Sequence, residues 1–421
     1  MNSNKAWRKY LANHAEAETA WIDALPAFAH DHLLIIPAFD ETSEFFDRLL
    51  PLLAQNSVLL IVVINQPDSL STATPCNRKL YGQLVEHMLD ANQYASLTLG
   101  RIKDSQSRLL VVDRFAKGPL IPSAQGVGLA RKIGADLAIA LMDRGNIKQP
   151  LLYCTDCDTT LPDDYFQKNI DCAALLYPFC HKNDDSPVAS ATTLYEFSIR
   201  YYQAGLCHAG SPYAFHTIGS CIAIDALAYC RAHGFPKRAG GEDFYLLNKL
   251  AKLGQVKSLT EPKILINPRL SGRVPFGTGP AVSRIMANVQ NGKEFTVYHP
   301  GVFSELKQVL EAVIGTEDRP TAEMILEDLS PEAVKVLQEL GLGKTVEKIL
   351  CNLSNKFDIQ LFIKHFNLWF DGFRTLKFIH GMRDIKYSNV PVTSLYRVAE
   401  QFNATWVKNV PGYRPASDSE I

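Results

Sequence analysis

The chain has 421 residues, more than a single hydrophobic core usually serves, so two domains are expected. A hydrophobic content of 47% with 21% charged residues excludes wholesale disorder. A formal net charge of -1 gives no electrostatic footprint for nucleic acid or for an anionic membrane. The cysteine count is nine, odd and without a small-domain framework, which fits reduced cytosolic thiols. Met1–Trp21 is polar and alanine-rich rather than a secretory apolar segment. The longest apolar runs, Val58–Ile64 and Leu137–Met142, are too short to span a bilayer. The expected location is cytoplasmic, with peripheral attachment at the inner face of a membrane left open.

Residues 1–30 read as a helix plus a loop. Leu33–Phe39 is a buried strand ending beside Pro37, and Asp40 and Glu41 follow it. A helix is expected from Ser43 to Ala54, with Ser43 as its N-cap. Val58–Ile64 is apolar throughout, the mark of a parallel strand covered on both faces. Asn65, Gln66, Pro67 and Asp68 stand at its carboxyl end. Residues 69–107 form a polar stretch with one helical patch near Leu80–Leu89 and read as an insertion. Leu109–Asp113 is the third strand. Lys117–Gly118–Pro119 and a helix over Val127–Met142 follow. Strand and helix alternate to this point, which predicts a doubly wound α/β sheet.

The next segment, Leu151 to Tyr165, begins as an apolar strand and ends in carboxylates. In extended chain Asp156 and Asp158, two residues apart, point to one side. They would then aim at one point past the strand end, where open α/β sheets hold their ligands. Hard oxygen donors there suit Mg²⁺ or Mn²⁺ shared with substrate phosphates. Further on, Ala173–Tyr177 and Ile218–Ile224 read as strands, and Ala189–Ala204 and Asp225–His233 as helices. Gly240–Gly241–Glu242–Asp243 leads into an amphipathic helix, Phe244 to Leu253. Val256–Leu259 and Ile264–Ile266 are candidate edge strands. Ser271 to Gly279 is a glycine-rich loop carrying Arg273. From Val302 to about Phe402 helical patterns dominate, and the tail after Pro411 reads as disordered.

In order and spacing, five blocks over residues 30–290 resemble the family 2 glycosyltransferases of the GT-A fold. They are Ile36–Pro37–Ala38–Phe39–Asp40–Glu41, Gly126–Val127–Gly128–Leu129–Ala130–Arg131, Thr155–Asp156–Cys157–Asp158, Gly219–Ser220–Cys221–Ile222–Ala223–Ile224, and Gly240–Gly241–Glu242–Asp243–Phe244. The resemblance implies a GT-A (Rossmann-like) mixed, mainly parallel sheet flanked by helices over residues 1–300, with the insertion at 69–107. It leaves a mostly helical region, 301–421, uncovered. It implies transfer of a sugar from a nucleotide diphosphate sugar, UDP- or GDP-linked, to a carbohydrate, lipid-linked or small-molecule acceptor.

The same resemblance implies site residues. Pro37, Ala38, Asp40, Glu41, Asn65, Arg131, Asp156 and Arg273 would face the nucleotide. Asn65 stands where the family usually has an Asp. Asp158 would be the firmer ligand to Mn²⁺ or Mg²⁺, with Asp156 on ribose or metal and a histidine (His299, His208 or His216) as third ligand. Asp243 would be the general base of an inverting reaction, with Glu242 as neighbour or alternative. Acids at a helix N-terminus are also favoured by the macrodipole whatever their function. Cys154 and Cys157 read as packing residues. Three rivals stand beside this reading: a retaining enzyme on the same fold, a nucleotidyltransferase, and a non-catalytic nucleotide-sugar-binding or scaffold protein. A homo-oligomer is compatible with all of them.

Overall fold

The computed structural model describes residues 3–166, 170–275, 277–315, 319–353 and 357–412. The tail after Pro411, from residue 413, and Phe276 of the glycine-rich loop lie outside them. The chain forms two compact units, Met1–Ala189 with Thr217–Ser283, and Ser190–His216 with Arg284–Ile421.

The first unit is mixed α/β. Its helices α1 (Ser3–His14), α2 (Glu44–Gln55), α3 (Pro75–Glu86) and α4 (Gly126–Asp143) alternate with strands β1 (His32–Ala38), β2 (Val58–Asn65), β3 (Met88–Tyr94), β4 (Leu97–Ile102), β5 (Arg108–Arg114) and β6 (Leu151–Cys154). The chain continues through β7 (Thr159–Thr160), β8 (Ala174–Leu176), β9 (Phe179–His181), α5 (Pro187–His208), β10 (Ile222–Asp225), α6 (Ala226–Arg231), β11 (Val256–Ser258) and β12 (Ile264–Ile266). The nine-stranded sheet has the order β11-β8-β10-β6-β1-β2-β5-β4-β3. Only β4 and β10 run against the other strands. At its centre β6, β1, β2 and β5 are parallel neighbours. Every residue of β2 is buried, as its unbroken apolar run requires of a strand covered on both faces.

Two details differ from the sequence reading. Residues 69–107 contain α3, β3 and β4; β4 pairs antiparallel with β5 and β3 with β4, which extends the sheet. β3 is exposed along most of its length, so it carries no apolar run to announce it. Second, extended chain stops at Cys154. Residues 156–159 form a turn instead, closed by the Thr159 N–H (3.3 Å) and hydroxyl (2.8 Å), both donating to the Asp156 carbonyl.

The second unit is helical. Helices Pro300–Ile314, Pro331–Glu339, Leu342–Asn352, Ile359–Trp369 and Gly372–Ile385 enclose a core that includes Phe303, Leu306, Phe362, Phe366, Phe378 and Met382. Side-chain caps start several of them. Ser330 accepts from the Ala333 N–H, and Asp371 from the Arg374 N–H. No helix among the described residues is long and apolar enough to cross a membrane.

Candidate functional site

At the carboxyl ends of β1 and β6 two sets of charges assemble, and the first is built where one loop packs closely on α4. A Cβ on Gly128, in the first turn of α4, would lie 2.4 Å from the Pro236 carbonyl and 2.7 Å from the Arg238 nitrogen. With no side chain there, the Gly128 N–H donates to the Arg238 carbonyl at 3.0 Å. That contact fixes the segment leading to Gly241, whose φ of +68° turns the chain into helix α7 (Glu242–Leu250). Glu242 and Asp243 thus open α7 beside the next residues of α4.

Arg131 of α4 is buried and joins the two acidic motifs. Its Nε donates to Glu242 Oε1 at 2.9 Å, and its Nη2 to Asp156 Oδ1 at 2.7 Å. Burial alone would lower its pKa, but Asp156 and Glu242 more than offset that and raise it, so it is a permanent cation. Its Nη1 is buried with no hydrogen-bond partner among the described residues. Glu242 is pushed up by burial, with Arg131 opposing. Asp243 is half-buried, and its Oδ1 accepts the Phe244 N–H at 2.7 Å. Burial first, and the Glu242 charge second, push its carboxyl up from 3.8 to about 7. Gly219 lies against both groups: a Cβ there would be 3.0 Å from Arg131 Nη2 and 3.1 Å from Asp243 Oδ2.

A second set of charges surrounds Asp158. The small sheet β7-β12-β9 pairs Ile266 with Thr159 and Leu265 with Thr160. The Asn267 N–H donates to the Asp158 carbonyl at 2.8 Å. This pairing delivers Arg269, whose Nε meets Asp158 Oδ2 at 2.8 Å and whose Nη1 meets both Glu41 oxygens at 2.8 Å. Arg273 Nη1 meets Glu41 Oε1 at 2.6 Å and the Phe39 carbonyl at 2.5 Å. Arg48 closes the far side of the turn, its Nη2 donating to the Cys157 carbonyl at 2.6 Å. Burial raises the Asp158 pKa; Arg269 opposes this, while Asp156 and Glu41 add to it.

The sequence-predicted residues divide accordingly. Glu41, Arg131, Asp156, Asp158, Glu242 and Arg273 belong to these two ion-pair sets, and Asp243 adjoins the first. Pro37 and Ala38 end β1; the Ala38 carbonyl accepts the Asn65 amide at 3.0 Å. Asn65 is buried, and its Nδ2, expected to face a base, ties the ends of β1 and β2 together. Asp40 takes φ +53°, with its N–H on Asn77 Oδ1 at 3.0 Å. Lys117 reaches Gln93 Oε1 at 2.7 Å. His299, His208 and His216 all belong to the second unit. His299 caps the helix Pro300–Ile314, its Nδ1 accepting the Gly301 N–H at 3.0 Å, and its ring stacks on Tyr387. His208 stacks on Trp406. Cys154 and Cys157 are buried with their thiols pushed up, Cys154 to about 12, so neither is a thiolate.

Sequence reasoning missed Arg269 and Arg48. Arg269 follows the strand Ile264–Ile266 directly and stands four residues before Arg273, a spacing that could have marked both as one basic segment.

The site is rich in hard oxygen donors, the type a divalent ion selects. Five carboxyl groups (Glu41, Asp156, Asp158, Glu242 and Asp243) share three guanidiniums (Arg131, Arg269 and Arg273), which leaves an excess of acid. Among the described residues no three His, Cys, Asp or Glu side chains converge as a ready metal cage. The carboxylates are turned toward arginines instead. Mg²⁺ is ordinarily held by one or two carboxylates and by substrate phosphates, so a full protein cage is not required. Fold and site together define a mixed α/β protein with a carboxylate–guanidinium site at the carboxyl edge of its central parallel strands. Compared with protein-family models and with curated proteins, the chain matches none.

Proposed function

We propose that the first unit is a GT-A-type, family 2-like glycosyltransferase that is divalent metal-dependent and inverting, with Asp243 as general base. The observation that carries this reading is the Asp243 carboxyl, half-buried at the start of a helix and pushed up to about 7. A base is most effective when its pKa lies near the working pH. The structural support is one of linkage. Through Arg131 the pair Glu242–Asp243 is held to Asp156, the first residue of the Asp-x-Asp motif.

In this reading Asp243 accepts the proton of the acceptor hydroxyl. Glu242 stays paired with Arg131 and raises the basicity of its neighbour by its charge. Arg131 holds Asp156 for the nucleotide side, and its free Nη1 has a hydrogen bond to give. Arg273, and Arg269 with it, supply guanidiniums suited to diphosphate oxygens. A divalent ion, with Asp158 and Asp156 as its ligands from this chain, would stabilise the negative charge that grows on the departing nucleoside diphosphate.

The test is a thermal-shift panel of UDP-, GDP-, ADP- and dTDP-linked sugars, each with and without Mn²⁺. Ligands that bind only the folded state raise its melting temperature by mass action. Stabilisation by one donor class that needs Mn²⁺ and is lost in Asp158→Ala is the expected result. No shift with any nucleotide would turn the assignment toward a scaffold protein, and a product of retained anomeric configuration would remove the base role from Asp243.

A further inference from the structure

Arg269 sits where a cation at Asp158 would act. Its guanidinium spans two carboxylates from different segments, Asp158 through Nε and Glu41 through Nη1, all at 2.8 Å. The three side chains are mostly buried, with 34%, 19% and 13% of Arg269, Asp158 and Glu41 exposed. Glu41 has a second guanidinium, Arg273, but the only ion-pair partner described for Asp158 is Arg269. Asp158 is therefore poised between two demands. It is an oxygen donor of the type a hard divalent ion selects, and it is already neutralised by a side chain.

We propose that Arg269 is a built-in competitor for the metal: it compensates Asp158 while the ion is absent and gives the carboxylate up when the ion binds. This inference rests on the metal-dependent reading above. Its consequence is that Arg269 sets how tightly the metal is held. With a like-charged guanidinium already in place, a dication gains less from Asp158 than from an unpaired carboxylate, because the arginine must lose its own pair first. The loss is substantial, since a guanidinium taken partly out of water depends on its partner. Metal held weakly by the empty protein would then bind mainly together with the donor, whose phosphates supply the missing oxygens.

The test measures Mn²⁺ binding to the full-length protein, with no nucleotide present, from the electron paramagnetic resonance signal of free Mn²⁺. It compares the wild-type chain with Arg269→Gln, Arg269→Lys and Asp158→Asn. Removing the guanidinium in Arg269→Gln should tighten Mn²⁺ binding by about tenfold or more, equivalent to roughly 1.4 kcal/mol. Arg269→Lys keeps a cation and should lie between the two. Asp158→Asn should abolish the site. Thermal melts show which variants are folded, and Mn²⁺ should restore the stability that Arg269→Gln loses by leaving Asp158 and Glu41 under-compensated. If the wild type binds Mn²⁺ through Asp158 and Arg269→Gln binds it equally or more weakly, competition is overturned while the metal-dependent reading stands. If neither wild type nor Arg269→Gln binds Mn²⁺ at Asp158, competition is overturned, and the metal-dependent reading is then decided by the nucleotide-sugar panel with and without Mn²⁺.

Discussion

Arg131 and Lys132 are neighbours on α4, both buried and both ion-paired, yet their surroundings differ in kind. Lys132 lies in a closed network. Its ammonium donates to Asp136 Oδ2 at 2.7 Å, to Tyr10 OH at 2.8 Å and to the His14 carbonyl at 2.8 Å. Asp136 is also complete. Tyr10 and Tyr229 donate to its Oδ1 at 2.6 and 2.9 Å, and the Glu16 N–H donates to its Oδ2 at 2.9 Å. Every donor of the ammonium is used, so the network has nothing to offer a ligand. It fixes α1 and the segment around Tyr229 to α4. The Arg131 network is open. One guanidinium nitrogen has no partner among the described residues, the side chain of Asp156 is 31% exposed, and burial with the Glu242 charge pushes the Asp243 carboxyl up to about 7. A satisfied buried network is structural; an unsatisfied one beside a strand end is a place for chemistry.

The sharpest way to test that contrast is Asp243→Asn. Under the proposed function it should lower kcat/KM by about 10²–10⁴-fold, the usual worth of a general base. The wild-type rate should rise with pH and level off above about 7, where Asp243 has lost its proton. Stability should move the other way. The folded state holds this proton up to about pH 7 and the unfolded state releases it near 3.8, so between those values the native state binds more protons and loses stability as pH rises. Asn removes that loss while its amide oxygen can still accept the Phe244 N–H. Asp243→Asn should therefore match the wild type near pH 4 and melt higher above pH 7, on the order of 1 kcal/mol or 2–4 °C. An inactive variant that melts lower at pH 8 would place Asp243 among the structural groups.

Asp136→Leu should do the reverse. It leaves the Lys132 ammonium buried without its counter-charge, which costs about 3–5 kcal/mol and lowers Tm by roughly 10 °C. Nucleotide binding measured well below that Tm should persist. The pair Lys132→Met with Asp136→Leu should regain much of the loss, because both charges leave together. Loss of nucleotide binding in the folded single variant would show that the closed network also reaches the site.

Gly128→Ala lies between the two networks. Its new Cβ would meet the Pro236 carbonyl at 2.4 Å, so the 236–241 segment must move. Overpacking of this kind costs about 1–3 kcal/mol. The displacement carries Glu242 away from Arg131, so the rate should fall together with stability. A lower Tm with an unchanged rate and pH profile would mean that the glycine serves packing alone.

These contrasts also mark how far the sequence could be read. β1, β2, β5 and β6 were legible as apolar runs because both their faces are buried, and α7 because its pattern is amphipathic. β3 was not, because an exposed edge strand carries no such pattern. Asp156 and Asp158 were recognised, but the assumption of extended chain pointed them at a common target. Thr159 closes a turn there, and the two carboxylates reach different arginines. The spacing of Arg269 to Arg273 marks a basic segment, but only the pairing of β12 with β7 brings Arg269 to Asp158, a contact across more than a hundred residues. Asn65 entered through the family resemblance alone, and no sequence pattern could show that its Nδ2 donates to the Ala38 carbonyl at the end of β1.

The smallest expected effect isolates the electrostatics of the open network. Gly219→Ala adds one methyl group 3.0 Å from Arg131 Nη2 and 3.1 Å from Asp243 Oδ2, a contact that requires a shift of a few tenths of an ångström. No ion pair is broken, so the effect on Tm should be within about 1 kcal/mol. The methyl adds hydrocarbon beside Asp243 Oδ2. Burial is the leading cause of the raised Asp243 pKa, so further desolvation raises it again. The acid limb of the pH–rate profile should therefore move upward by a few tenths of a unit, while the rate at pH 9 stays close to that of the wild type. If the limb stays in place while the high-pH rate falls, the methyl has displaced the acceptor instead, and the group that titrates near 7 is one that Gly219 does not touch.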